Sequence, residues 1–304
     1  MKSTRKAYGE FLVEYGEKNK DIIVLDADLS AATCTSMFKD KFSDRHINVG
    51  IAEADLVGTG VGLALSGKKV FASSFAMFLA GRAYEQIRNS AAYNHADINL
   101  VATHSGLAVG EDGPTHQCLE DISLMNTVPE MKVLCPSDEF STKNILKTCL
   151  ENKGTKYIRL GRNDTENIYN ENELFEIGKS KCHGNGNNGT IFTCGNTLQI
   201  ALEAKKQLKE KDIDVRVVDL YSIKPVDKEM IIKCSIETDK LISIEDHSVI
   251  GGIGSIVANV LTENNPKKLI KIGVNDTFGK SGSYKEVYKL FGLTKENIIS
   301  KFIQ

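Results

Sequence analysis

No stretch of the 304 residues stays apolar for the roughly 18–20 positions that a bilayer-spanning helix needs. A membrane span is therefore not expected. The opening MKSTRKAYGEFLVEYGEKNK breaks every apolar turn with charge, unlike a secretory leader, and reads as an amphipathic helix. Charge of one sign is missing too: 38 basic residues stand against 40 acidic, a net of −2. A nucleic-acid partner normally demands a basic excess or stripe, and neither is visible. The seven cysteines (Cys34, Cys118, Cys135, Cys149, Cys182, Cys194, Cys234) show no CxxC spacing and sit mostly in apolar contexts. Reduced core thiols of a cytoplasmic protein fit that pattern better than disulfides or metal ligands. There is no internal repeat, and GNGNNG is the one low-complexity tract. What remains is ordinary globular composition, 41% hydrophobic and 26% charged, in a chain long enough for two domains.

Short β-rich runs alternate with helical patterns. Residues 21–28, 69–74, 98–104, 131–136 and 156–160 read as strands, and the segments 51–65, 75–93 and 137–153 carry helical periodicity. Such alternation predicts an α/β fold with a parallel sheet between helices. Residues 163–189 are polar and end in a Gly/Asn cluster, which predicts a linker with an exposed hairpin. The alternation then restarts, TIFTC to LIKIGV, before two terminal helices. The expected domains are 1–165 and a smaller α/β unit at 190–304, joined by 166–189. In open α/β sheets ligands gather at the carboxyl ends of strands. Four such ends in the first domain carry polar or aromatic chemistry: after VLDAD, KVFASS, INLV and YIRLG.

The longest of these, ATHSGLAVGEDGPTHQ at 102–117, puts two histidines and a carboxylate on glycine-rich backbone. His104, Asp112 and His116 there suit the binding of hydroxyls or the shuttling of protons. Metal binding is disfavoured, since no HxxxH or HxH spacing occurs. Glu53 opens a helix of small apolar residues. Its sequence neighbours Ile51, Ala52 and Ala54 offer no counter-charge, so burial would raise its pKa and let it donate a hydrogen bond. The competing reading is an exposed carboxylate at a helix start. Phe75 and Phe78, three apart, form either a core pair or a stacking wall for a flat heterocycle. Arg162 and Arg5 suit a phosphate through the fixed fork of guanidinium donors, or else surface ion pairs. VGTGVG at 57–62 does not follow a strand, so close helix packing is the reading, not nucleotide binding. GGIGS at 251–255 does follow one and opens a helix: an anion site or a tight turn.

Taken in order, these segments resemble the transketolase family. GIAEA, SSFAMF, ATHSGLAVGEDGPTHQ, CPSD and IRLGR match its pyrimidine-binding half, and SIKPVD, EDHSVIGGIG and SGSYKEVYKLFGL resemble its C-terminal domain. The likeness covers nearly the whole chain, which thus resembles the C-terminal subunit of a split transketolase. It implies a parallel-sheet thiamine-pyrimidine-binding domain followed by the smaller transketolase C-terminal domain. It implies thiamine diphosphate as cofactor, with Glu53 donating to N1′ of the aminopyrimidine, Phe75 and Phe78 flanking that ring, and Asp28 near the cofactor's centre. His104 and His116 would contact sugar oxygens and assist proton transfer. Asp112 would read hydroxyl stereochemistry, and Arg162 with Arg5 would hold a phosphate tail. The implied reaction moves a two-carbon ketol unit from a ketose phosphate to an aldose phosphate, as in the pentose phosphate pathway.

Two departures qualify the resemblance. The GDG…N motif with which the family binds diphosphate and a divalent cation is absent, and MKSTRKAYG already corresponds to the start of the pyrimidine domain. The expectation is a partner subunit that supplies that domain and the Mg or Ca ion, in an α2β2 assembly, with this chain inactive alone. Where the family often has a phosphate-binding serine, the chain has Ala31 and Ala32, leaving Ser30 or Thr33 to substitute. Alternatives within reach are a 1-deoxyxylulose-5-phosphate synthase-like chain, a 2-oxoacid dehydrogenase E1 β-like subunit, and a scaffold subunit without catalysis.

Overall fold

A computed structural model describes residues 1–303. The first sheet has seven strands, in the order Ser222–Lys224, Lys132–Leu134, Lys156–Arg159, Ile98–Thr103, Lys69–Phe75, Ile22–Asp26 and His46–Asn48. All pairs are parallel except the first. Ile98–Thr103 lies near the middle and every one of its residues is buried. That explains why Ile98, Leu100 and Val101 are apolar on both faces of the strand, where helices cover the sheet. It also explains why the buried Asn99 amide donates to the Val70 carbonyl, at 3.1 Å. The α/β reading with mostly parallel sheet is borne out.

The second sheet runs Leu269–Val274, Leu241–Ser248, Gly189–Thr193, Val215–Asp219, Lys181–His183, with only the last strand antiparallel. Three expectations need correction. Residues 163–189 hold no exposed hairpin: Lys181–His183 joins the second sheet, and Asp164–Thr165 pairs with Lys2–Ser3 at the chain start. The helix expected over 75–93 breaks after Arg82 and resumes as a wider π-helical turn at Gln86–Ala92. Ser222–Lys224, from the expected second domain, completes the edge of the first sheet.

The two units also share a core. One continuous apolar cluster runs from Tyr8 and Phe11, under the first sheet, to Ile191, Leu198 and Val217 in the second. A buried ion pair sits near the junction: Arg159 Nε is 2.9 Å from Asp121 Oδ2, and its Nη2 donates to the Asp246 carbonyl at 2.8 Å. Asp138 accepts from Ser141 N to cap the helix Glu139–Glu151, while its other oxygen accepts from the amides of Ile168 and Tyr169. That single carboxylate fixes the path of the chain just beyond Arg162.

Parallel strands share one carboxyl edge. The segments after Ile22–Asp26, Lys69–Phe75, Ile98–Thr103 and Lys156–Arg159 therefore emerge side by side.

Candidate active site

On that edge the structure gathers Glu53, Phe75, Phe78, His104 and His116. Strand Lys69–Phe75 ends in Phe75, and the helix Ala76–Arg82 starts at once, which carries Phe78 round above it. The two rings lie 5.8 Å apart and nearly parallel, at 16°. Phe75 is buried and also stacks on His104, at 3.9 Å between centroids, while His116 meets Phe78 edge-on at 5.2 Å. Phe78 is only half-buried, so this pair is a wall and not closed core.

Glu53 is 3% exposed, which excludes the reading of a solvated carboxylate at a helix start. The absence of counter-charge is corrected as well. Arg82 Nη1 lies 3.1 Å from both carboxylate oxygens, and Ser74 Oγ donates to Oε1 at 3.4 Å. The sequence neighbours of Glu53 are apolar, but helix geometry brings a guanidinium from 29 residues away. The same Arg82 guanidinium stands 4.0 Å over the Phe78 ring. Arg82 was not singled out from sequence. A signal existed: it lies four residues after Phe78, so on one helix the two share a face.

His104 is 3% exposed and holds left-handed backbone at φ 57. Such a conformation in a residue with a side chain persists only where its surroundings enforce it. Burial, with further contributions from Arg5, Arg162 and His116, pushes its pKa down to about 3. The ring is therefore neutral near pH 7. Thr103 Oγ1 meets its Nδ1 at 2.9 Å, and Thr115 Oγ1 meets His116 Nδ1 at the same distance. Both contacts come from a Thr-His dipeptide, a readable pattern that the sequence reading passed over.

The remaining residues form a polar rim. Arg162 Nη1 donates to the Val109 carbonyl at 2.6 Å and to Asp112 Oδ2 at 3.2 Å. Arg5 donates to the Ala32 and Arg162 carbonyls, at 2.7 and 3.1 Å. Both arginines touch this edge, though in the isolated chain their donors engage protein oxygens. Asp28 is exposed, at φ 61, and its carboxylate accepts from Asn48 at 3.2 Å. Beneath it His46 Nε2 lies 2.7 Å from the buried Asp26, a contact not anticipated.

GGIGS is filled by the chain itself. The Glu245 carboxylate accepts from the amides of Ile253 and Gly254 at 2.7 and 3.0 Å, so the helix start that could hold an anion holds this side chain.

Residues 1–167 match the family description "Transketolase, pyrimidine binding domain", and residues 178–298 match "Transketolase, C-terminal domain". A Methanocaldococcus jannaschii chain provisionally described as a transketolase C-terminal section is 47% identical over 100% of this chain and 96% of its own length. A 6-deoxy-6-sulfo-D-fructose transketolase subunit of a Clostridium species is 35% identical, over 97% of this chain and 92% of its own. Among solved structures, a split gene transketolase described as an inactive β4 tetramer superposes with a TM-score of 0.92 at 42% identity. The superposition covers 99% of this chain and 97% of that one. The fold, both domain matches and these likenesses agree: the chain belongs to the transketolase family, and it carries that family's pyrimidine-binding and C-terminal domains.

Proposed function

We propose that this chain is the pyrimidine-side subunit of a two-chain transketolase. It transfers a two-carbon ketol unit from a ketose phosphate, such as xylulose 5-phosphate, to an aldose phosphate. A partner chain supplies the diphosphate-binding and metal-binding half. The observation that carries the reading is the buried Glu53 carboxylate set beside the Phe75–Phe78 wall. The expected α2β2 assembly and a cytoplasmic, pentose-phosphate role go with this reading.

The residues fit a thiamine pyrimidine. The Arg82 guanidinium, itself flat, stacks on Phe78 and donates to both oxygens of Glu53. A flat heterocycle with a donor or basic nitrogen at its edge meets the same two partners once Arg82, half exposed, swings aside. When bound, thiamine diphosphate supplies the electron sink for breaking and making a carbon–carbon bond beside a carbonyl. This chain's part is protonation and placement. With the cofactor bound and Arg82 displaced, Glu53 would hold a proton at a pyrimidine ring nitrogen, and Phe75 and Phe78 would flank the ring. A Thr103 hydroxyl donating to Nδ1 of His104 leaves the ring proton on Nε2, so His104 offers a neutral donor to sugar oxygens. His116, beside the same wall, serves the next oxygen. Arg162 exchanges Asp112 for the sugar's phosphate, which also releases Asp112 towards a substrate hydroxyl. Arg5 braces the turn between Ala32 and Arg162.

The test is reconstitution with a diphosphate-binding subunit, followed by transfer from xylulose 5-phosphate to ribose 5-phosphate. Glu53→Gln should lower turnover by about 10²-fold or more. Turnover of pyruvate in place of the ketose would overturn the reading in favour of a synthase or oxoacid dehydrogenase. The Clostridium relative is named for a sulfonated ketose. The donor panel should therefore include 6-deoxy-6-sulfo-D-fructose.

A further inference from the structure

The second domain carries none of the residues assigned above, yet it shapes the loop that carries three of them. Asp246, on the strand Leu241–Ser248, is 3% exposed. Its Oδ1 accepts from the Leu107 amide at 2.7 Å, and its Oδ2 accepts from the Tyr288 hydroxyl at 2.7 Å. Leu107 opens the short segment Leu107–Asp112, two helical turns that meet at a kink at Gly110 (φ 80). A carboxylate from the other domain therefore satisfies the first free amide of its first turn. Arg162 holds the far end through Val109 and Asp112. Glycines let the loop lie this close. Gly106 has φ 71, and a Cβ there would overlap the Asp246 carboxylate. A Cβ on Gly113 would overlap the Ser281 hydroxyl, and one on Gly110 would come within 3.3 Å of the Gly282 carbonyl. Gln117 bridges the two domains, donating to the carbonyls of Leu107 and Lys280 at 3.2 and 2.9 Å.

We propose that Asp246 is a positioning residue for substrate binding: from the second domain it fixes the segment Leu107–Asp112, and thereby the placement of Asp112 and His116 against His104. Tyr288 sets the orientation of the carboxylate. Neither side chain touches reacting atoms. The inference rests on the transketolase reading for its kinetic consequence, but its structural half stands without it.

The experiment uses two readouts on the wild type, Asp246→Ala, Asp246→Asn and Tyr288→Phe. The first is amide hydrogen exchange of the full chain alone. Asp246→Ala should speed exchange across 106–113 by at least about tenfold while leaving the core strand Ile98–Thr103 protected. Asp246→Asn keeps an acceptor for Leu107 and should restore most of that protection. The second is steady-state kinetics of the reconstituted complex. A hydrogen bond to a charged group is worth roughly a 10- to 100-fold effect. Asp246→Ala should therefore raise KM for the ketose phosphate by about that factor with kcat within threefold, the signature of lost uniform binding. Asparagine should recover it. Should the alanine variant not fold, Asp246→Asn and Tyr288→Phe decide, the latter with a smaller rise in both exchange and KM. Unchanged loop exchange, or kcat and thermal stability falling together without a KM effect, overturns the proposal. A wild-type complex that transfers no ketol unit defeats the functional reading instead, and the exchange result still tests Asp246.

Discussion

Replacing Asp219 with asparagine should change how stability depends on pH, by an amount set by its surroundings. Asp219 ends the strand Val215–Asp219 and is fully buried. Burial raises its pKa, hydrogen bonds from Tyr169 and Ser137 oppose the rise, and the Asp138 charge adds to it, leaving the carboxyl at about 7. Such a group stabilises the fold when both states are protonated, below its free value of 3.8. It loses that contribution as pH rises through about 7, because the native state keeps a proton that the unfolded chain gives up. Each pH unit is worth about 1.4 kcal/mol, so the loss between pH 5 and pH 8 is about 3 kcal/mol. Asparagine suits the site. Both donors land on Oδ2, at 2.7 and 3.2 Å, while Oδ1 has no partner, so the amide can take that place. The unpaired amide adds a penalty of about 1–3 kcal/mol that does not vary with pH. The variant should thus be no more stable than the parent at pH 5 and should gain about 3 kcal/mol on it by pH 8. Urea unfolding at pH 5, 6, 7 and 8 reads this out. The sequence has no tryptophan, so far-ultraviolet circular dichroism and tyrosine fluorescence are the probes. Parallel curves for parent and variant across that range, within about 0.5 kcal/mol, would refute the reasoning.

His247 gives the opposite sign. Burial outweighs the opposing pull of Asp121 and holds its pKa at about 4, below 6.5, so its contribution is present above pH 6.5 and fades as pH falls. Relative to the parent, His247→Gln should gain about 2 kcal/mol between pH 6.5 and pH 5, by the same urea measurement. Arg82→Ala removes the cation that engages Glu53 and covers Phe78. Its side chain is half exposed, so the pair is worth about 0.2–1 kcal/mol, and apparent thiamine diphosphate affinity of the complex should rise by about 1.4- to 5-fold in a titration. Weaker binding would show that Arg82 holds the cofactor and does not stand in its place. Gly252→Ala drives a Cβ into the Glu245 carboxylate and should cost about 1–3 kcal/mol in thermal unfolding.

What could be read from sequence was whatever local pattern decides. Alternating strands and helices force a parallel sheet, and a parallel sheet sends the loops after four of its strands to one edge. That is enough to bring Phe75, Phe78, His104 and Arg162 to the same edge without any knowledge of contacts. Glu53 needed more. The small apolar helix left burial open against an exposed helix start, and the environment was not legible at all, because Arg82 reaches Glu53 through the placement of one helix against another. The GGIGS turn was left open between an anion site and a turn for a similar reason: the pattern shows free amides, not what fills them. The carboxylate that does so belongs to Glu245, in the strand just before the turn.

Contacts between the domains left little trace in the pattern of strands and helices. Leu107 and Asp246 are 139 residues apart, and Asp246 looks like one more residue of a buried strand in SIEDH. Ser222–Lys224 is three residues long, too short for any period to show, yet it extends the first sheet from within the expected second domain. Both features depend on how two separately patterned units dock. Docking is governed by shape complementarity across the shared core, which periodicity cannot express. A site built on such a junction therefore looks, from sequence, like the property of one domain. The glycines at 106, 110 and 113 are the clue that it is not, since each is small where the other domain's backbone or side chains come close. In a glycine-rich loop after a core strand, the missing side chains mark where something else must press against it, and here the second domain does.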